Sequence, residues 1–274
     1  MIDNASGIPL PSEASCQRAV EYGQLIDEIK QSPGANFELR LYEKKFHLYP
    51  FLKNAHELER LIQQIESQIC GEMFQPGGDE QEMHVFSLEL VRLLFNVVMS
   101  AMMLVDYTRT FMKKNYSGTS VIDQYQELIK NTVAADPLCL FVQGLRNLAT
   151  HVGNPDQHIL RKRTRESVST IVLFNHEGLL SRFDDWKPEA KELIQEEAKN
   201  PEEFSVKRIM RGYRAIIEGL HRQIDTLLSS HHTQDLENLR LLRERFHSQF
   251  TGRGWPNRWP IHPIDASLPS MDKQ

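Results

Sequence analysis

The stretch DEQEMHVFSLELVRLLFNVVMSAMMLVDYTRTFMKKN (residues 79–115) sets the architecture. Its middle is apolar nearly all round, and its charged ends close on Lys113-Lys114. The pattern predicts one helix of roughly 50 Å at 1.5 Å per residue. An apolar circumference marks it as the central buried element of the fold. The longest apolar run, residues 93–105, is 13 residues long and includes Asn96 and Ser100. A bilayer-spanning helix needs about 20 apolar residues, so the run reads as a core helix and no membrane contact is expected.

Helical periodicity continues on both sides. Upstream, residues 12–32 form a predicted helix stopped by Pro33-Gly34, residues 37–52 are mixed and broken at Pro50, and Asn54 is a candidate N-cap for a helix to Cys70, ended by Gly71. Pro76, Gly77 and Gly78 mark a loop. Downstream, Ser117-Gly118 ends the long helix, and another is predicted over 119–134. Asp136-Pro137 is a strong helix start, because Asp caps free amides and Pro is favoured at the first helical position. That helix, PLCLFVQGLRNLATHV, ends at Gly153. Ser167 to Phe174 (SVSTIVLF) is rich in β-branched residues. With the turn Asn175-His176-Glu177-Gly178 and a returning strand over 179–183, it predicts a small β-hairpin. Pro188 opens a charged helix to about Lys199, Ser205 caps another to about Ser230, and a last one covers 235–250. The expected fold is all-α: a helical bundle with one long central helix and a small β-hairpin appended near 166–183. Residues 1–35 form an N-terminal helical arm, 36–250 the bundle, and 251–274 a Pro/Trp-rich tail carrying Trp255 and Trp259.

Composition narrows the class. The 274 residues carry 32 Lys+Arg against 37 Asp+Glu, a formal net charge of -5, with 40% hydrophobic residues. These values exclude a disordered chain, a collagen-like fibre and a disulfide-framed miniprotein. Any RNA contact must use a local basic patch. Cys16, Cys70 and Cys139 are odd in number and widely spaced, which argues against a zinc site or disulfide framework and for a reducing cytosol. The N-terminal MIDNASGIPLPSEAS lacks a basic n-region and an apolar h-region, so a cytoplasmic protein without a signal peptide is expected. HExxH, GxGxxG, GxxxxGK[ST] and GxSxG patterns are absent, and none of the eleven histidines lies four residues from another. Neither a metal nor a cofactor is therefore expected.

The chemistry-bearing stretch is Arg146-Asn147-Leu148-Ala149-Thr150-His151. A histidine exchanges protons near neutral pH. An arginine is permanently charged and offers a planar fork that matches a phosphate. Together they suit metal-free RNA cleavage: the imidazole takes the ribose 2′-hydroxyl proton while the guanidinium steadies the charge building on phosphorus. On a regular helix, however, positions five apart differ by about 140°. Arg146 and His151 do not share a face, whereas Asn147 and His151 do. A distorted last turn or a second chain must then complete the pair. The plainer alternative is that both residues simply favour the helix C-terminal dipole.

The phrase FVQGLRNLATHVGNP, with its Arg-x4-His spacing and the asparagine after the arginine, resembles the HEPN superfamily. The resemblance is specific over about twenty residues and is supported more loosely by the long preceding helix. It implies a metal-independent endoribonuclease that leaves a 2′,3′-cyclic phosphate and a 5′-hydroxyl. It also implies a homodimer with two motifs in one cleft, as in a bacterial toxin or phage-defence effector. An antitoxin or regulatory partner is a further expectation. The alternative within the same resemblance is a non-catalytic nucleotide-binding or partner-binding helical module. The family often places a polar residue from the earlier helix against the motif, which makes Asn96 and Asp106 candidates beside Arg146, Asn147 and His151. For Asp106 the competing role is an i,i+3 pair with Arg109. Arg161, Lys162, Arg163 and Arg165 follow the motif and are the candidate RNA-backbone contacts. Arg208, Arg211 and Arg214 form either a second basic ridge or a solvated face.

Overall fold

The computed structural model describes residues 12–67, 80–163, 168–200 and 204–250. Cys70, Gly71, the Pro76-Gly77-Gly78 loop, Arg165 and the 251–274 tail lie outside the described residues. The described chain is all-α apart from one small hairpin. Its order is α1 (Glu13–Gln31), α2 (Pro33–Glu66), α3 (Glu80–Tyr116), α4 (Ser120–Thr132), α5 (Pro137–His151), β1 (Gln157–Arg163), β2 (Val168–Phe174), α6 (His176–Arg182), α7 (Pro188–Lys199), α8 (Val206–His231) and α9 (Thr233–Phe250).

The described residues divide into two compact units, one of residues 46–227 and one of residues up to 45 with those from 228. In the smaller unit the first and last helices share one core. In that smaller unit Leu25 and Ile29 of α1 pack with Leu239, Phe246 and Phe250 of α9. Tyr22 meets the rings of Phe246 and Phe250 at centroid distances of 5.3 Å. Arg243 grips Glu38 with both arms of its fork at 2.8 and 2.5 Å.

The larger unit is built on α3. Leu90, Leu94, Val97, Val98 and Ala101 are buried in one core with Phe51, Leu58 and Ile62 of α2 and Phe141 and Leu145 of α5. By length and composition the stretch Met83–Tyr116 also qualifies as a bilayer-crossing helix, which the 13-residue count had set aside. A core helix passes the same test, and here the inner face of α3 is packed by protein. Asn54 of α2 donates to the Asn96 carbonyl at 3.3 Å and to Ser100 Oγ at 3.1 Å.

Two expectations are corrected. Residues 37–52 are not a broken stretch: α2 runs unbroken through Pro50, and Pro33 opens it rather than only ending α1. Ser32 Oγ accepts from the Ala35 N–H at 3.2 Å, as an N-cap does. Pro50 is exposed and forfeits one backbone bond, while Phe51, Ala55, Leu58 and Ile62 are buried at helical spacing and outweigh it. The hairpin also lies earlier than expected, with Gln157 opposite Phe174 and Arg163 opposite Val168. Residues 179–183 do not return as a strand. Asn175 accepts from the Gly178 N–H at 3.1 Å and starts α6, so the Asn-His-Glu-Gly segment is a helix cap, not a turn. The outer edge of β2 meets residues 204–205 instead, with the Phe174 N–H donating to the Phe204 carbonyl at 3.1 Å.

Candidate functional site

Helix α5 carries the motif, and its ends follow from the sequence. Asp136 Oδ1 accepts the Cys139 N–H at 2.9 Å, with Pro137 in the first turn. At the far end the N–H groups of Val152 and Gly153 both donate to the Leu148 carbonyl, at 2.9 and 3.0 Å. Gly153 has φ +145°, a conformation side-chain-bearing residues avoid, so the helix stops one turn after Leu148. The roll of α5 is set by Gly144. A Cβ there would overlap the Trp186 ring, which stacks on Phe141 at 5.5 Å and 12°. Trp186 Nε1 donates to the Leu179 carbonyl at 3.1 Å, fixing that ring in turn.

With this roll, Arg146 and Asn147 are half-buried and His151 is exposed. Arg146 Nη1 donates to Asn147 Oδ1 at 3.1 Å, while its Nε is buried with no hydrogen-bond partner. Thr150 Oγ1 donates to the Arg146 carbonyl at 2.9 Å. Arg146 and Asn147 line a cavity of about 810 Å³ whose walls come from α3, α4, α5 and α8. His151 does not line it. One chain therefore gathers the arginine and asparagine at the cavity and leaves the histidine outside it, although Asn147 and His151 lie only about 40° apart on a regular helix.

Asp106 lines the same cavity and makes the i,i+3 pair with Arg109 at 3.7 Å. Asn96 does not line the cavity; its carbonyl is taken by Asn54 and Ser100. Of the basic run, Arg161, Lys162 and Arg163 fall on β1, with Lys162 exposed opposite Ser169. The Arg208, Arg211 and Arg214 ridge is committed to protein partners. Arg208 meets Glu197, Arg211 and Arg214 both meet Glu59, and Lys207 meets Glu66 at 2.7 Å. For Glu59, burial raises the carboxyl, but the Arg211 bond and the charges of Arg211, Arg214 and Lys207 hold it below the usual carboxylate range.

The cavity also uses residues that the sequence reading did not place at the site. Arg109 and Lys113 stand four apart on α3, Gln143 is three before Arg146, and Tyr125 and Tyr213 come from α4 and α8. For Arg109, Lys113 and Gln143 the i,i+3 and i,i+4 spacings were the available signal; for the two tyrosines, on separate helices, there was none. Burial, helped by Asp136, pushes the Cys139 thiol far up, and burial does the same to the Tyr213 phenol. Neither is a nucleophile at neutral pH. Among the described residues no group of three or more His, Cys, Asp and Glu side chains is placed to hold a metal.

No protein-family model, curated protein or solved structure matches the chain. The HEPN resemblance therefore rests on the motif residues and their helical setting alone.

Proposed function

We propose that the chain is a metal-independent endoribonuclease of HEPN type that works as a pair of identical subunits. The observation that carries this reading is the state of the motif at the capped end of α5. Asn147 holds the Arg146 guanidinium, and His151 stands exposed one turn further on. In the reaction His151 removes the proton of a ribose 2′-hydroxyl, and that oxygen bonds to the adjacent phosphorus. The phosphorus–O5′ bond breaks, and the proton passes to the departing oxygen. The products are a 2′,3′-cyclic phosphate and a 5′-hydroxyl. Arg146 of the second subunit supplies the positive fork that stabilises the phosphorane charge.

Pairing is favoured by a stripe on α3, where Val85, Leu88 and Met103 are 59%, 58% and 71% exposed beside Phe95. Large apolar side chains aligned on one helix face mark a protein contact. The basic residues of β1 then serve the RNA backbone. A second reading has its own support: Arg146 faces a cavity that His151 does not share, which suits a helical module that binds a ligand without cutting.

The test is cleavage of total RNA by purified protein in EDTA. Wild type should cut, and Arg146→Ala and His151→Ala should each lose about 100-fold or more. Mixing the two inactive variants should restore cleavage, because a mixed pair holds one intact Arg146 opposite one intact His151. Met103→Asp should shift light scattering from dimer to monomer and abolish cutting. Cleavage unchanged in both single variants overturns the assignment.

A further inference from the structure

We infer that the cavity beside α5 is a binding site for a small amphipathic organic anion, an apolar body carrying a carboxylate or phosphate head. The inference concerns a ligand, not RNA cleavage, and holds whether or not the motif cuts.

Shape and lining define the body. At about 810 Å³ the cavity falls within the usual small-ligand range of about 300–1,000 Å³. Leu104, Ile129, Leu140, Tyr213, Ile217 and Leu220 give it largely apolar walls. Water gains few hydrogen bonds against such a surface, so an apolar occupant is favoured over solvent.

Charge defines the head. Arg109, Lys113 and Arg146 all line the cavity, and Asp106 is its one carboxylate among the described residues. A chain of net charge -5 thus presents three basic side chains against one carboxylate at this place. Asp106 is drawn to Arg109 at 3.7 Å, which leaves Lys113 and Arg146 uncompensated; among the described residues neither has an ion-pair partner. A guanidinium carries five N–H donors. For Arg146 one bond goes to Asn147, and the buried Nε finds no acceptor. A buried donor without an acceptor is costly, and an oxyanion against the Arg146 fork removes that cost while gaining a charge-assisted bond. Cys139 and Tyr213 remain neutral and add no competing negative charge.

The experiment titrates full-length protein with 8-anilinonaphthalene-1-sulfonate and displaces the dye with dodecanoate, dodecyl phosphate or dodecanol. Either anion should compete about tenfold better than the alcohol, the difference one charge-assisted bond confers. The two anionic arms distinguish a carboxylate head from a phosphate head. Ile129→Trp and Leu140→Trp fill the space, and the variant that keeps wild-type circular dichroism and melting should lose displacement. Lys113→Gln and Arg109→Gln change exposed side chains and should shrink the preference for anion over alcohol to about twofold or less. Equal competition by anions and alcohol, or displacement unchanged in a folded filling variant, overturns the site. Neither outcome touches the EDTA cleavage assay, so failure of the site and failure of the nuclease reading are separable.

Discussion

Gly144→Ala tests whether the motif helix is held where its chemistry requires. In most helix interiors this change stabilises by about 1 kcal/mol, because alanine loses less backbone entropy. Here the new methyl enters the Trp186 ring, so the ring or α5 must move. Overpacking of this kind costs about 1–3 kcal/mol. Moving Trp186 also strains its stack on Phe141, its edge contact with Phe183 at 5.2 Å and the Nε1 bond to the Leu179 carbonyl. A buried donor left without that carbonyl costs about 1–3 kcal/mol more. Subtracting the helix gain leaves a net loss of about 3 kcal/mol. Urea unfolding followed by tryptophan fluorescence and circular dichroism should show a midpoint lower by about 1–2 M. Gly23→Ala is the internal control, since a Cβ there meets nothing within 4 Å. It should raise stability by about 1 kcal/mol. Adding Trp186→Leu to Gly144→Ala should cost less than the two single changes summed, because the clash is shared. If Gly144→Ala behaves like Gly23→Ala, the account of what fixes α5 is wrong.

Two further predictions address the site and the scaffold. Asn147→Ala releases the Arg146 fork and should slow RNA cleavage about tenfold, as expected for losing about 1.4 kcal/mol of orientation, with the urea midpoint unchanged; loss as complete as in Arg146→Ala would mean that Asn147 does more than orient. Glu59, despite burial that works the other way, is held below its ordinary value of 4.5 by Arg211, Arg214 and Lys207. Its stabilising contribution is therefore complete above pH 4.5 and is lost as pH falls below that towards the folded value. Urea midpoints measured from pH 7 to 3 should decline less steeply at the acid end in Glu59→Gln than in wild type, and parallel curves would refute the linkage.

Where local signals were unopposed, the sequence read correctly. The Asp136-Pro137 start, the Ser205 cap of α8 and the span of α3 depend on groups within one or two turns of each other. Misreadings fell where one segment satisfies two local rules and distant packing chooses between them. Asn175-His176-Glu177-Gly178 suits a hairpin turn and a helix N-cap equally well. The choice goes to the cap because β2 is already paired to β1 and tied to Phe204, while Trp186 anchors the Leu179 carbonyl. Pro50 likewise reads as a break until the burial of its neighbours on α2 is counted.

The site shows the same division between what spacing reveals and what only assembly supplies. The 140° between positions five apart puts Arg146 and His151 on different faces of a regular helix, and of the two only Arg146 lines the cavity. Spacing alone could not say what Arg146 would face, because its cavity draws on residues from Ala101 to His221 across four helices. Nor could it discriminate between two similar basic stripes. Arg208, Arg211 and Arg214 look like a free ridge, yet Glu59, distant in sequence, lies against two of them and Glu197 takes the third. Arg109 and Lys113 look like ordinary charges near a helix end, yet fold into a pocket holding a single carboxylate. A cation's availability depends on the carboxylates brought to it by the fold, so an acidic chain can commit its obvious basic ridge to ion pairs and leave an anion site at a less obvious one.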